Sequence, residues 1–244
     1  MNLASLYIEW GRYDLAERQR MAAPMSMLTE TSDISQALGV MASLAAGRGD
    51  LTRAQAAYEE NLAFLRRNGG PECELQVSTT LNNIGSLDLR RERWESAEGW
   101  LQMAVKSQRA ASGDSHPNLT KVLGNLAVAQ MKQRKWREAE ASVQEGLTIS
   151  RASLGQFHPL TAAYLDLYAT ILESAGRKKE AREVRREAES LRRQIPPPLP
   201  GGLTVDLSTL RSFTKSSDPG NSANARKQTK QPMPASISAP RRPN

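Results

Sequence analysis

Aromatic residues make up only 5% of this 244-residue chain, and it holds one cysteine and two histidines. The lone thiol, Cys73, excludes an intramolecular disulfide and gives no reason to invoke an oxidising compartment, so a cytoplasmic setting is expected. A metal site needs several ligands converging on one ion, and neither His116 nor His158 has another His or a Cys near it in sequence. No apolar run approaches the roughly 18 residues that cross a bilayer, so no membrane association is expected. Residues 1–10 lack a basic segment and a cleavage site, which excludes a secretory leader on this reading. Gly-x-x-x-x-Gly-Lys, Gly-x-Gly-x-x-Gly, His-Glu-x-x-His and Gly-x-Ser-x-Gly are all missing. The chain is therefore expected to be no enzyme and to carry no cofactor and no metal.

What remains is rich in Ala, Leu, Glu, Arg and Gln, a mixture that favours helix over strand. The net charge of +7 is unevenly placed. Residues 196–244 hold seven Lys/Arg against two Asp, so the first 195 residues are nearly neutral. A nucleic-acid-binding body is disfavoured by that balance.

A motif recurs about every 42 residues. His-Pro occurs at His116-Pro117 and at His158-Pro159, and a basic-Trp-x-x-Ala-Glu signature runs from Arg93 to Glu98 and from Lys135 to Glu140. The signature alanines fall at Ala16, Ala54, Ala97, Ala139 and Ala181, with spacings of 38, 43, 42 and 42. Such self-similarity predicts a stack of identical supersecondary units. Within one unit, Leu119, Val122, Leu123, Leu126 and Ala127 mark a first helix, A, that begins at Pro117. After a turn at Gln133-Arg134-Lys135, a second helix, B, carries Trp136, Ala139, Val143 and Leu147 and ends near Gly155, where positive φ is wanted. The units are expected at about 1–30, 31–70, 71–113, 114–155 and 156–195. The first is cut short, either because the chain starts inside a longer array or because that unit is a degenerate cap. Pro196-Pro197-Pro198 stops the last helix. The Pro/Ser-rich basic stretch 196–244 is expected to be a disordered tail, with Val205–Leu210 as its one place for a short element.

The pattern resembles the tetratricopeptide repeat in its 42-residue, kinesin-light-chain-like form. The resemblance rests on small residues where A and B meet (Ala42, Gly85, Ala127, Ala169), on the B-helix alanines, and on Gly-Arg-Tyr-type turns such as Gly11-Arg12-Tyr13. Gly-x-x-His-Pro linkers at Gly113–Pro117 and Gly155–Pro159 complete it. It implies an all-α, right-handed solenoid of about 4.5–5 antiparallel helix pairs. The heptad coiled coil that precedes the repeats in kinesin light chains is absent, so motor attachment is not supported.

Arrays of this family bind extended peptides on a concave groove lined by helix A. The resemblance places groove residues at Thr79, Asn82, Asn83, Ser86, Arg90, Lys121, Asn125, Val128, Lys132, Ala163, Asp166 and Thr170. Asn83 and Asn125 are 42 residues apart, and an amide can pair with any peptide backbone. Arg90, Lys121 and Lys132 add a preference for acidic ligands. A carboxylate clamp is not supported, because Leu38 and Val40 stand where polar residues are needed. Trp94 and Trp136 are expected to plug the gap between their own A and B helices. The Arg/Glu run at 183–193 reads as a solvated face laced by i,i+4 pairs.

The expected function is a scaffold holding a protein or peptide partner. One alternative is the C-terminal interaction or sensor part of a longer regulatory protein with an effector region upstream. Another is nucleic-acid association through the tail.

Overall fold

Each period folds as two antiparallel helices joined by a tight turn. The computed structural model describes residues 30–195. The shortened first unit, the tail and the Val205–Leu210 segment lie outside the described residues. Eight α-helices occur among the described residues: α1 (Thr31–Gly47), α2 (Leu51–Asn68), α3 (Glu74–Arg90), α4 (Trp94–Ser112), α5 (Asn118–Lys132), α6 (Trp136–Leu154), α7 (Pro159–Ser174) and α8 (Lys178–Gln194). No strand occurs among these residues. They form four A/B pairs, with odd-numbered helices in the A position.

The turn from A to B always contains one residue with positive φ. It is glycine at Gly49 and Gly176, but Glu92 and Arg134 take the same conformation at φ 60°. The B-to-A linkers turn on Gly113 (φ 78°) and Gly155 (φ 89°). Each histidine caps the following helix: His158 Nδ1 accepts from the Leu160 amide at 3.1 Å, and His116 Nδ1 from the Asn118 amide at 3.2 Å. Pro159 occupies the first turn of α7, whereas α5 starts one residue after Pro117.

Small residues bring the helices together as their spacing implies. Ala42, Ala54, Ala97, Ala127, Ala139, Ala169 and Ala181 are fully buried. A β-carbon on Gly85 would sit 2.7 Å from Leu101 Cγ, so only glycine lets α3 approach α4 this closely. Successive A helices approach one another more closely than successive B helices do. The stack therefore curves with the A helices on its inner side.

Two expectations change. Trp94 and Trp136 are half-buried and lie at the edge of the core instead of plugging it. Trp94 faces the next unit: Lys132 Nζ lies 5.6 Å from its ring centroid, and its carbonyl accepts from Gln133 Nε2 at 3.2 Å. The acids of α8 are not spent on i,i+4 pairs. Arg185 pairs with Glu173 and Arg192 with Asp166, both on α7, while Glu187 reaches Arg151 on α6 at 2.5 Å. These are pairs between exposed side chains of adjacent helices, and such pairs contribute little to stability.

Candidate binding surface along the A helices

The inner surface is built from positions that recur along α3, α5 and α7. Each A helix buries its Leu/Ile/Ala face, so the residues between those positions are turned toward the inner side. On α3 these are Asn82, Asn83 and Ser86, all half-buried, and on α5 the half-buried Asn125.

Three of them come together. Asn125 Nδ2 donates to Asn82 Oδ1 at 3.0 Å and to Ser86 Oγ at 3.1 Å, tying unit to unit. The Asn125 carbonyl oxygen has no partner among the described residues. Neither does the amide of Asn83, one turn away from Asn82's neighbour Ser86. These groups leave donors and acceptors open beside an ordered polar floor; on α1 the Ser43 hydroxyl is bonded instead to Tyr58 Oη of its own B helix, α2, at 2.7 Å.

The charged positions divide. Lys121 is exposed and forms no ion pair among the described residues. Arg90 is committed: its Nη1 donates to the Ala46 carbonyl at 3.1 Å, closing the end of α1. Lys132 sits over Trp94, a cation–π contact. Asp166 is held by Arg192. Thr79 and Thr170 bond back to the carbonyls of Leu75 and Asp166 on their own helices. Val128 is buried and unavailable. Of the positive side chains expected here, only Lys121 stands free to meet a ligand.

A second polar cluster, on the side of the turns, was not foreseen. Glu98 on α4 accepts from Lys135 Nζ at 2.5 Å, Gln133 Nε2 at 2.8 Å and Gln130 Nε2 at 3.5 Å. Burial pushes the Glu98 carboxyl up, but these hydrogen bonds and the Lys135 charge outweigh it and hold the carboxyl below its usual range. The repeated Glu at the end of the Trp-x-x-Ala-Glu signature was the available signal. Arg177 meets Glu140 in the same way at 2.6 Å one period later.

Among the described residues no group of three or more His, Cys, Asp or Glu is placed to hold a metal ion. No helix among them is long and apolar enough to cross a membrane.

A curved stack of antiparallel helix pairs with an ordered polar inner face defines an α-solenoid of the protein-interaction class. The family model of the tetratricopeptide repeat matches residues 33–110, 76–141 and 118–194, and the chain belongs to that family. No curated protein matches it in sequence. Among solved structures it is similar to BtubC (BKLC) from P. vanneervenii, at 21% identity over 84% of each chain with a TM-score of 0.69. It is also similar to a putative kinesin light chain of Podosopora anserina with nearly identical repeats, at 17% identity over 79% of this chain and 92% of that one, TM-score 0.63. The apo form of RapI follows at 15% identity over 79% and 81%, TM-score 0.58. At these identities the likeness is one of fold.

Proposed function

We propose that this array is a non-enzymatic scaffold that holds an extended peptide or a partner helix along the inner face of its A helices. The reading takes residues 1–195 as the array and 196–244 as a separate tail. The observation that carries it is the pairing of open amide groups with an ordered floor. Among the described residues the Asn125 carbonyl and the whole Asn83 amide lack partners, while Asn82 and Ser86 hold Asn125 in place. A fixed amide presenting an unused acceptor suits a peptide backbone, whose N–H groups recur regardless of sequence. Lys121, exposed beside them, favours an acidic residue in the ligand.

The test is a peptide array probed with the full chain, followed by anisotropy titration of the best peptide. Asn83→Ala/Asn125→Ala is expected to weaken binding roughly tenfold, the loss of two modest hydrogen bonds. Lys121→Ala is expected to weaken acidic peptides selectively. Wild-type affinity in the double variant, with its helical content intact, would refute the groove.

A further inference from the structure

The last helix carries a surface that neither the core nor the inner face uses. At about 100° per residue, Lys179, Arg182, Arg186 and Arg193 fall within roughly 60° of one another on α8, in a stripe on the side turned away from the buried Ala181 and Ala188. All four are exposed, and none forms an ion pair among the described residues. The stripe is about 21 Å long at 1.5 Å per residue. Its isolation follows from the cross-helix pairing already described. Glu187 is drawn across to Arg151 on α6, Arg185 and Arg192 turn inward to Glu173 and Asp166 on α7, and Glu180 is taken locally by Arg177 at the start of α8. The remaining acids, Glu189 and Glu183, flank the stripe on opposite sides, so the cations predominate within it. The chain leaves α8 just beyond Arg193, and the residues that follow bring seven more Lys/Arg against two Asp.

A terminal repeat has to be polar on its outer face, but nothing in that role requires one sign of charge. We propose that this stripe docks the sugar-phosphate backbone of a nucleic acid without reading its bases. Three of its four cations are arginines, whose planar forks match phosphate oxygens. It presents no exposed apolar side chain, so it lacks the centre that a protein–protein interface needs. The apolar residues of α8, Val184 and Leu191 included, pack against the core and are not available to enter a bilayer. No aromatic residue lies on the helix, which rules out base stacking as the source of affinity.

The test uses the full chain and a fluorescein-labelled oligonucleotide, single-stranded and duplex, titrated by anisotropy at several salt concentrations. Arg182→Gln/Arg186→Gln/Arg193→Gln should bind at least tenfold more weakly at low salt. The slope of log K against log salt should fall by about 2–3, since each phosphate contact contributes roughly 0.9. Its thermal melt should stay close to wild type, because the three side chains are exposed and form no ion pair among the described residues. Unchanged affinity and slope would overturn the proposal, as would complete loss of binding on removal of residues 196–244 alone. Phosphatidylserine/phosphatidylcholine vesicles and poly-glutamate serve as rival polyanions. If either binds more tightly than the oligonucleotide through the same three arginines, the assignment to nucleic acid falls. Asn83→Ala/Asn125→Ala should leave oligonucleotide binding unchanged, which separates this surface from the groove; a loss there would place the nucleic acid on the inner face and refute the stripe.

Discussion

A β-carbon added at Gly146 would come within 2.6 Å of Tyr164 Cζ and 2.7 Å of its hydroxyl. Tyr164, on α7, is fully buried against α5 and α6, and its hydroxyl donates to the Thr120 carbonyl. Burial pushes that hydroxyl well above its ordinary pKa. Gly146→Ala should therefore destabilise the array by about 1–2 kcal/mol, the overpacking cost less the gain in helix propensity. At the preceding junction the register-equivalent residues are Ala104 and Val122. In a Tyr164→Val background Gly146→Ala should become stabilising, giving a coupling of at least about 1 kcal/mol in a urea double-mutant cycle. Additive effects would show that the two residues do not share space. The turns carry a second residue-level signal. Arg134 has φ 60° where Gly49 and Gly176 stand in other units. A side chain in that conformation costs about 1–2 kcal/mol, and glycine gives back part of this through unfolded-chain entropy. Arg134→Gly should raise the urea midpoint by the equivalent of about 0.5–1 kcal/mol with an unchanged m-value; a lower midpoint would mean the turn is not strained.

At the scale of elements, what repeats could be read from the sequence and what does not repeat could not. Ala54, Ala97, Ala139 and Ala181, with Gly113 and Gly155, mark helix crossings and ends because every unit meets the same steric demand there. The recurrence of inner-side positions on α3 and α5 follows from the same register. Their partners do not. Arg90 lies 44 residues from the carbonyl it caps, and Lys132 is held by a tryptophan of the previous unit. Those choices depend on which side chain happens to face which across a junction. The α4–α5–α6 junction shows the consequence at Glu98. Its carboxyl is held below the ordinary value of 4.5, so the stability it contributes is present above that pH and is lost as pH falls through the depressed folded value. The midpoint of urea unfolding should drop more steeply between about pH 5 and pH 3 in wild type than in Glu98→Gln, which lacks the titrating group. Parallel profiles would show that the charge of Glu98 does not hold the junction.

Across the whole molecule, each helix pair touches only its neighbours, so stability is a sum of unit and junction contributions and need not be uniform. The same surface ion pair recurs one period apart, Arg109 with Glu145 at 2.6 Å and Arg151 with Glu187 at 2.5 Å. Exposed pairs of this kind contribute about 0–1 kcal/mol each, so they do not set the differences between units. Buried area does. Helix α5 buries eleven of its fifteen residues, including Leu119, Leu123 and Leu126, whereas α8 fully buries only Ala181 and Ala188. Hydrogen exchange followed by mass spectrometry should therefore show peptides from Asn118–Lys132 among the slowest and peptides from Lys178–Gln194 among the fastest of the described helices. Mild urea should open α8 before α5. Because the stripe on α8 needs no tertiary contact beyond the helix itself, a polyanion bound there should slow exchange in α8 and leave α5 unchanged, while a peptide in the groove should protect α3 and α5 first. Exchange in α8 as slow as in α5 would mean that the last helix is held by more than its two buried alanines, and that the array unfolds as one cooperative body.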